Sequence, residues 1–162
     1  IAGSMQHRYH TREMSRLGGL LVSAPKMGWI LGFCAMASLG LPGLAGFWGE
    51  FPAVLSAFEP SKLANGLIGG TDSTLWTFRT FMVIAAIGTV LAAGYLLWMY
   101  QRVAMGTPTP EFEDAHIHDV YVSEWIAWTP LLVSIVVFGL FPNLIFSITD
   151  GAASSITRAF SG

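Results

Sequence analysis

One stretch decides the fold of this chain, LGLPGLAGFWGEF at residues 39–51. It interrupts a long apolar run, because Glu50 is the only charged residue within 27–58. A continuous helix over that run would be about 48 Å long, well beyond the about 30 Å of hydrocarbon in a bilayer. Pro42 removes a backbone donor and clashes with the preceding turn, while glycines lower the cost of unwinding. The residues that we expect to form the break are Gly40, Pro42, Gly43 and Gly46.

The composition of the chain is that of a membrane protein. Of its 162 residues, 53% are hydrophobic and 11% are charged, and the mean hydropathy is +0.58. Soluble domains carry about 25% charged residues. Runs without charge fall at 27–49, 80–101 and 125–149, and each has at least the roughly 20 residues that a helix needs to cross a bilayer. We therefore predict an all-α membrane protein with three transmembrane helices, the first of them interrupted.

Several classes of function are disfavoured by the same composition. The net charge of −2 argues against nucleic-acid binding, which needs clustered basic residues. The glycine pairs lack the spacing of a phosphate-binding loop. Cys34 is the only cysteine, so the chain has neither a disulfide framework nor a multi-cysteine metal site. We expect no metal and no cofactor within this chain.

The order of apolar and polar segments predicts the topology. The first polar segment carries four of the eight basic residues, and by the positive-inside rule it is cytoplasmic, which puts the C-terminus outside. The chain lacks a signal peptide and an initial Met, so we expect it to be the C-terminal part of a longer protein. The predicted segments are 1–27 for the end of a preceding helix and a cytoplasmic loop, 28–58 for the broken transmembrane helix, 59–75 for an external loop, 76–101 for a transmembrane helix, 102–123 for a cytoplasmic loop, 124–149 for a transmembrane helix and 150–162 for an external tail.

Glu50 is the main candidate functional residue. An ionised side chain in hydrocarbon costs several kcal/mol, so an acidic residue there indicates a functional site, with proton handling as the first candidate. Interrupted helices recur at the ion sites of transporters, and their freed backbone groups must be buried in protein or face water. We expect Glu50 to be shielded from lipid and to act as a proton relay. The alternatives are a position at the membrane edge, a hydrogen bond to a neighbouring helix, or a plain proline kink.

Two histidines support a weaker prediction. His7 and His10 lie in the first polar segment beside basic residues, and they could assist proton entry. A solvated loop is the alternative, because neither histidine lies within an apolar run.

Four strings of residues carry a family resemblance: HTRE at 10–13, GGL at 18–20, ASLGLPGLAGFWGEF at 37–51 and AAGYLLWMYQRV at 92–103. They resemble the antiporter-like subunit M, or chain 4, of bacterial proton-pumping NADH:quinone oxidoreductase, respiratory complex I. The resemblance implies a fourteen-helix subunit of which this chain is the last three helices. The interrupted helix of that family carries an ionisable residue that passes protons to the outer half-channel, and Glu50 matches it. Sister subunits generally have lysine there, which favours subunit M.

The resemblance also implies an activity and partners. The chain would be a subunit of a translocase in the bacterial plasma (inner) membrane, in contact with lipid and with sister antiporter-like subunits. NADH, flavin, iron-sulfur clusters and quinone would bind in other subunits, and further proton-carrying residues would lie on earlier helices. Two alternatives stay open: a subunit of a multi-component sodium/proton antiporter, and a purely structural element of the membrane arm.

Overall fold

The computed structural model describes residues 1–58, 72–112 and 117–161. Every regular element in these ranges is an α-helix, which confirms the all-α prediction. The helices there are α1 (Ala2–Tyr9), α2 (Leu20–Ser23), α3 (Pro25–Ser38), α4 (Ala45–Ser56), α5 (Asp72–Ala104), α6 (Val122–Leu140) and α7 (Asn143–Ser161).

Helices α5 and α6 are long and apolar enough to cross a membrane. The qualifying segments are Leu75–Ala104 and Val122–Leu140. Within the chain, 0% of the most apolar window of α5 and 6% of that of α6 are buried. The core helix of a soluble protein is covered by its neighbours, so two long apolar helices with uncovered surfaces indicate contact with lipid or with other membrane helices. Helix α5 agrees with the predicted crossing at 76–101.

The first predicted crossing consists of two short helices. Helix α3 has 14 residues and α4 has 12, so they are about 21 Å and about 18 Å long at 1.5 Å per residue. Neither alone spans about 30 Å of hydrocarbon. The non-helical residues between them, 39–44, lie where the sequence predicted the break. Among the described helices, two rather than the predicted three are both long and apolar enough to cross a membrane.

The prediction of one helix over 124–149 is wrong. Helix α6 ends at Leu140 and α7 begins at Asn143. Pro142 has no N–H to continue the helix, and the residue before a proline is biased away from helical dihedrals. The chain turns helical again at once, because the carbonyl of Pro142 accepts the N–H of Phe146 at 3.1 Å. The predicted tail at 150–162 is therefore helical as far as Ser161.

The two predicted loops are described only in part. Of the external loop at 59–75, residues 59–71 lie outside the described residues and the rest belongs to α5. Within the cytoplasmic loop at 102–123, the described residues 105–112 and 117–121 are not helical, and 113–116 lie outside the described ranges.

One compact unit comprises Ile1–Leu39 and Ala92–Val133. Its core is formed by α1, α2, α3 and the end of α5. Met27 and Leu20 are the largest fully buried side chains there, and Tyr9 and Tyr100 are also buried. A Cβ atom at Gly32 would lie 2.8 Å from the hydroxyl oxygen of Tyr100. Glycine at this position therefore allows α3 to approach the tyrosine ring.

A residue distant in sequence caps helix α3 in this unit. The carboxylate of Asp119 accepts the N–H of Lys26 at 3.0 Å and the N–H of Met27 at 3.1 Å. Pro25, the first helical residue, has no N–H to satisfy. The free donors of the first turn of a helix need acceptors, and a carboxylate there also interacts favourably with the helix dipole. The start of α3 is thus fixed by the segment that precedes α6.

The same segment is held by a partly buried ion pair. The guanidinium of Arg8 donates to both carboxylate oxygens of Glu124, at 2.9 and 2.6 Å. It also donates to the carbonyls of His118 at 2.7 Å and Asp119 at 3.0 Å. The side chain of Arg8 is 6% exposed. Such bidentate, charge-assisted hydrogen bonds are stronger than neutral ones, and they connect α1 to the start of α6.

Candidate functional site

The break between α3 and α4 has a definite backbone conformation. Gly40 follows the C-cap of α3 and has a φ of 64°. The N–H of Leu44 donates to the carbonyl of Leu41 at 3.1 Å, and Gly43 has a φ of 94°. Pro42 and Gly43 therefore occupy the central positions of a type II turn, which favours proline first and requires a positive φ second. A left-handed glycine cap followed by this turn ends α3 and redirects the chain.

Gly46 was predicted to belong to the break, and this is wrong. It is the second residue of α4, and the break ends at Leu44, whose extended backbone precedes the helix. Leu44 is the N-cap residue of α4 and carries no side-chain acceptor, so it makes no side-chain hydrogen bond to the first turn of the helix.

Glu50 lies in the second turn of α4 and reaches back to the break. Helical side chains tilt toward the N-terminus of their helix, so that of Glu50 extends over the turn that begins at Gly46. A Cβ atom built on Gly40 would lie 2.8 Å from Oε2 of Glu50 and 3.9 Å from the backbone of Gly46. The absence of a side chain at Gly40 thus leaves space that the carboxylate occupies. This position, near the start of α4, is favourable for an anion because of the helix dipole.

The break rests on helix α6. Gly139, near the end of α6, is buried. A Cβ atom there would lie 2.2 Å from the carbonyl oxygen of Gly43 and 2.5 Å from Cα of Leu44. Real Cβ atoms do not approach backbone so closely, so the turn can pack against α6 only because residue 139 has no side chain.

A tryptophan holds the same two elements together. Nε1 of Trp48 donates a hydrogen bond to the carbonyl of Gly139 at 2.7 Å. The Trp48 ring also meets the ring of Phe146 edge to face, with 6.1 Å between centroids. The second turn of α4 is therefore connected to the end of α6 and to the first turn of α7.

Pro52 gives α4 a second irregularity, about two turns beyond the break. Because proline has no N–H, the carbonyl of Trp48 lacks its usual helical donor. Glu50 thus lies between two points at which the backbone hydrogen bonding of the helix is incomplete. In a membrane such groups need protein or water as partners.

Glu50 is exposed in the part of the chain that the structure describes. Among the described residues, no hydrogen-bond donor and no cation contacts it. The sequence predicted a shielded group, and this chain alone does not supply the shield. Arg79, a cation near the start of α5, packs its guanidinium over the ring of Phe58 at 5.0 Å and donates to the Phe58 carbonyl at 3.4 Å.

A cavity of about 280 Å³ adjoins the site between α4, α6 and α7. Its walls are mostly apolar and contain no titratable side chain. The hydroxyl of Thr149, one of its few polar groups, donates to the carbonyl of Ile145 in its own helix at 3.3 Å. The lining residues are Ala45, Trp48, Gly49, Phe138, Pro142, Ile145, Phe146 and Thr149.

The two predicted histidines lie at the end of α1, in the compact unit formed by Ile1–Leu39 and Ala92–Val133. Both are exposed, and His10 is the C-cap of α1 with a φ of 51°. Their role in proton entry stays a prediction. Among the described residues, no three His, Cys, Asp or Glu side chains lie close enough together to hold a metal ion.

Two residues of the site were not predicted from the sequence, Trp48 and Gly139. Trp48 lay inside the quoted stretch but had no charge to distinguish it. Gly139 has one signal, a single glycine three residues before Pro142 near the end of an apolar run. That pattern is typical of close backbone packing, but it does not reveal the partner.

The sequence of this site matches a known family. Residues 1–77, which contain the break and Glu50, match the family described as NADH:quinone oxidoreductase/Mrp antiporter, transmembrane. Over these residues the chain is similar to this family.

Individual relatives of the family match almost the whole chain. NADH-quinone oxidoreductase subunit M of Rickettsia felis is 33% identical over 160 residues, 99% of this chain and 29% of the relative. Subunit M of Rhodobacter capsulatus is 29% identical over 158 residues, 98% of this chain and 27% of the relative. NADH-ubiquinone oxidoreductase chain 4 of Arabidopsis thaliana is 29% identical over 156 residues, 96% of this chain and 28% of the relative. The predicted resemblance to subunit M is confirmed, and the chain spans under a third of the length of these relatives.

Proposed function

We propose that this chain is part of a proton-translocating membrane subunit of an NADH:quinone oxidoreductase, and that Glu50 is a proton relay in it. The observation that carries the proposal is the carboxylate beside an interrupted helix, in a sequence similar to subunit M throughout. A carboxyl group is the simplest side chain that can take up a proton from one side and release it to the other.

In this proposal α3 and α4 form one interrupted crossing, so that the chain crosses the membrane three times with its C-terminus outside. The type II turn at 41–44 interrupts the helix and widens the path for protons beside it. Because Pro52 has no N–H, the carbonyl of Trp48 also lacks its helical donor. Water beside these groups would satisfy them and would also connect Glu50 to the outer half-channel.

The rest of the subunit and the complex complete the site. Because Glu50 is exposed in this chain, we infer that helices outside it cover the carboxylate and supply any cation near it. Sister antiporter-like subunits and lipid are the proposed neighbours in the bacterial inner membrane. Electron transfer among NADH, flavin, iron-sulfur clusters and quinone would take place in other subunits and drive the proton transfer here.

The test is Glu50→Gln in the complete subunit within its complex. Glutamine keeps the shape of the side chain and cannot titrate, so we expect a normal amount of complex and a loss of NADH-driven acidification of inverted membrane vesicles. Glu50→Asp retains a carboxyl group and should retain part of the pumping. Glu13→Gln removes an exposed carboxylate from the first polar segment and serves as a control with full pumping. Full pumping in Glu50→Gln would refute the relay, and an equal fall in complex and pumping would favour a structural role.

A second candidate is a subunit of a sodium/proton antiporter, because the description of the matching family includes the Mrp antiporters. The two functions differ in what drives proton movement. Membranes that carry the intact protein should pump protons on addition of NADH, without a requirement for sodium. Proton movement that follows a sodium gradient and ignores NADH would support the antiporter.

A further inference from the structure

The compact unit formed by Ile1–Leu39 and Ala92–Val133 contains a second cavity, of about 260 Å³. Its volume is below the roughly 300–1,000 Å³ of ordinary small-molecule pockets. The walls come from α1, the segment after it, α3 and the last turns of α5, and they are almost entirely apolar. Three of the lining residues are methionines, whose flexible side chains adapt to an apolar guest. The methionines are Met5, Met14 and Met99.

The position of the cavity along α5 sets its depth in the membrane. Met99 and Val103 line it and lie in the last turns of this crossing. In the same turns of α5, the guanidinium of Arg102 packs over the ring of Trp98, 5.5 Å from the ring centroid. A tryptophan paired with an arginine at the end of a transmembrane helix marks the boundary between acyl chains and headgroups. The cavity therefore lies at the boundary between acyl chains and headgroups.

Arg12 lines this cavity and differs from the other arginines of the first polar segment. Arg8 is buried in its pair with Glu124, and Arg16 pairs with Glu111. Arg12 is exposed, and its Nε donates to the side-chain oxygen of Gln6 at 2.6 Å. Among the described residues, none accepts a hydrogen bond from its two terminal nitrogens. Gln6 thus orients a guanidinium whose outer edge is available to a ligand.

We propose that this cavity binds one acyl chain of an anionic phospholipid, with the phosphate of the lipid on the terminal nitrogens of Arg12. A guanidinium matches phosphate geometry through two parallel hydrogen bonds. The apolar cavity receives the start of the acyl chain at the depth where a bilayer lipid has it. A headgroup without its own cation, such as phosphatidylglycerol, leaves the phosphate charge to the arginine, whereas the choline of phosphatidylcholine competes for it. The proposal does not depend on the role of Glu50.

The experiment uses the complete subunit in its complex, reconstituted in nanodiscs that contain phosphatidylglycerol with a photoactivatable diazirine on one acyl chain. Cross-links are mapped by peptide mass spectrometry. We expect labelling at Met14 and Met99, and weaker labelling by phosphatidylcholine with the same chain. Arg12→Gln should reduce the labelling about fivefold, the effect of one arginine near an anionic lipid surface. Arg16→Gln removes a cation of the same segment outside the cavity and serves as the matched control.

A second variant tests the cavity separately from the charge. Leu31→Phe adds volume to its wall, and it should exclude the acyl chain while Arg12 stays in place. The proposal is overturned by equal labelling in Arg12→Gln and Arg16→Gln, or by equal labelling with both lipids. It is also overturned if the complex shows no label in the cavity, since other helices of the subunit would then fill it.

Discussion

The contact between the break and α6 leads to a sharp prediction for Gly139→Ala. The added methyl group would meet the Gly43 carbonyl oxygen at 2.2 Å and Leu44 Cα at 2.5 Å. Ordinary contacts begin at 3.4 Å, so the turn must move by about 1 Å, and overpacking of this kind costs about 1–3 kcal/mol. The movement also strains the hydrogen bond from Trp48, a contribution of about 0.5–1.5 kcal/mol. The expected loss of stability is therefore about 2–4 kcal/mol.

The matched control is Gly88→Ala in α5. No atom lies within 4 Å of a Cβ there, and alanine in the middle of a helix is more stable than glycine by about 0.5–1 kcal/mol. Both variants would be made in the complete subunit, and the assay is denaturant-induced loss of the folded complex, followed by NADH-driven proton pumping per assembled complex. We expect Gly139→Ala to be less stable than wild type and Gly88→Ala to be equal or better. Equal stability of the two variants would refute the close packing of the turn on α6.

Three more predictions concern the break and the start of α3. Gly40→Ala places a side chain at a φ of 64° and 2.8 Å from Oε2 of Glu50; we expect a cost of about 1–2 kcal/mol and reduced pumping per complex, because the carboxylate must move. Trp48→Phe keeps an aromatic ring and removes the hydrogen bond to Gly139, so denaturation should show a loss of about 1 kcal/mol. Asp119→Ala removes the cap of α3 and should cost about 0.5–2 kcal/mol in the same assay, with pumping per complex unchanged.

Each of these has a control. Gly40→Asn should be milder than Gly40→Ala, since asparagine tolerates the left-handed conformation; equal pumping in Gly40→Ala and wild type would mean that the carboxylate does not depend on Gly40. If Trp48→Phe is as stable as wild type, the hydrogen bond from Trp48 to Gly139 does not contribute to stability. Asp119→Asn keeps one of the two accepting oxygens and places an amide donor where the other was, so its loss of stability should be smaller than that of Asp119→Ala. Equal losses in the two variants would contradict the capping role.

Much of the site could be predicted because its signals are local. Pro42 and Gly43 specify a turn through their own dihedral preferences, so the break was found at the correct place. Gly46 was misplaced because a glycine that permits unwinding looks the same in sequence as one inside a regular helix. In the structure it is the second residue of α4.

The parts that were missed depend on contacts between distant segments. Hydropathy continues past Pro142, so it gave no sign that α6 ends at Leu140. The packing of Gly139 on the turn joins residues almost a hundred positions apart, and no local preference encodes such a pairing. The exposure of Glu50 has a similar cause, because what covers a carboxylate in a membrane is decided by helices that a single segment does not contain.

The cap of α3 has a consequence for the order in which the protein is made. Lys26 and its acceptor Asp119 are 93 positions apart, so at about 5–20 residues added per second the ribosome needs at least several seconds to deliver the carboxylate after the helix has emerged. During that interval the beginning of α3 has only water or lipid headgroups to bind its amide protons. The helix can enter the bilayer early, but its register is secured only when Asp119 has been synthesised.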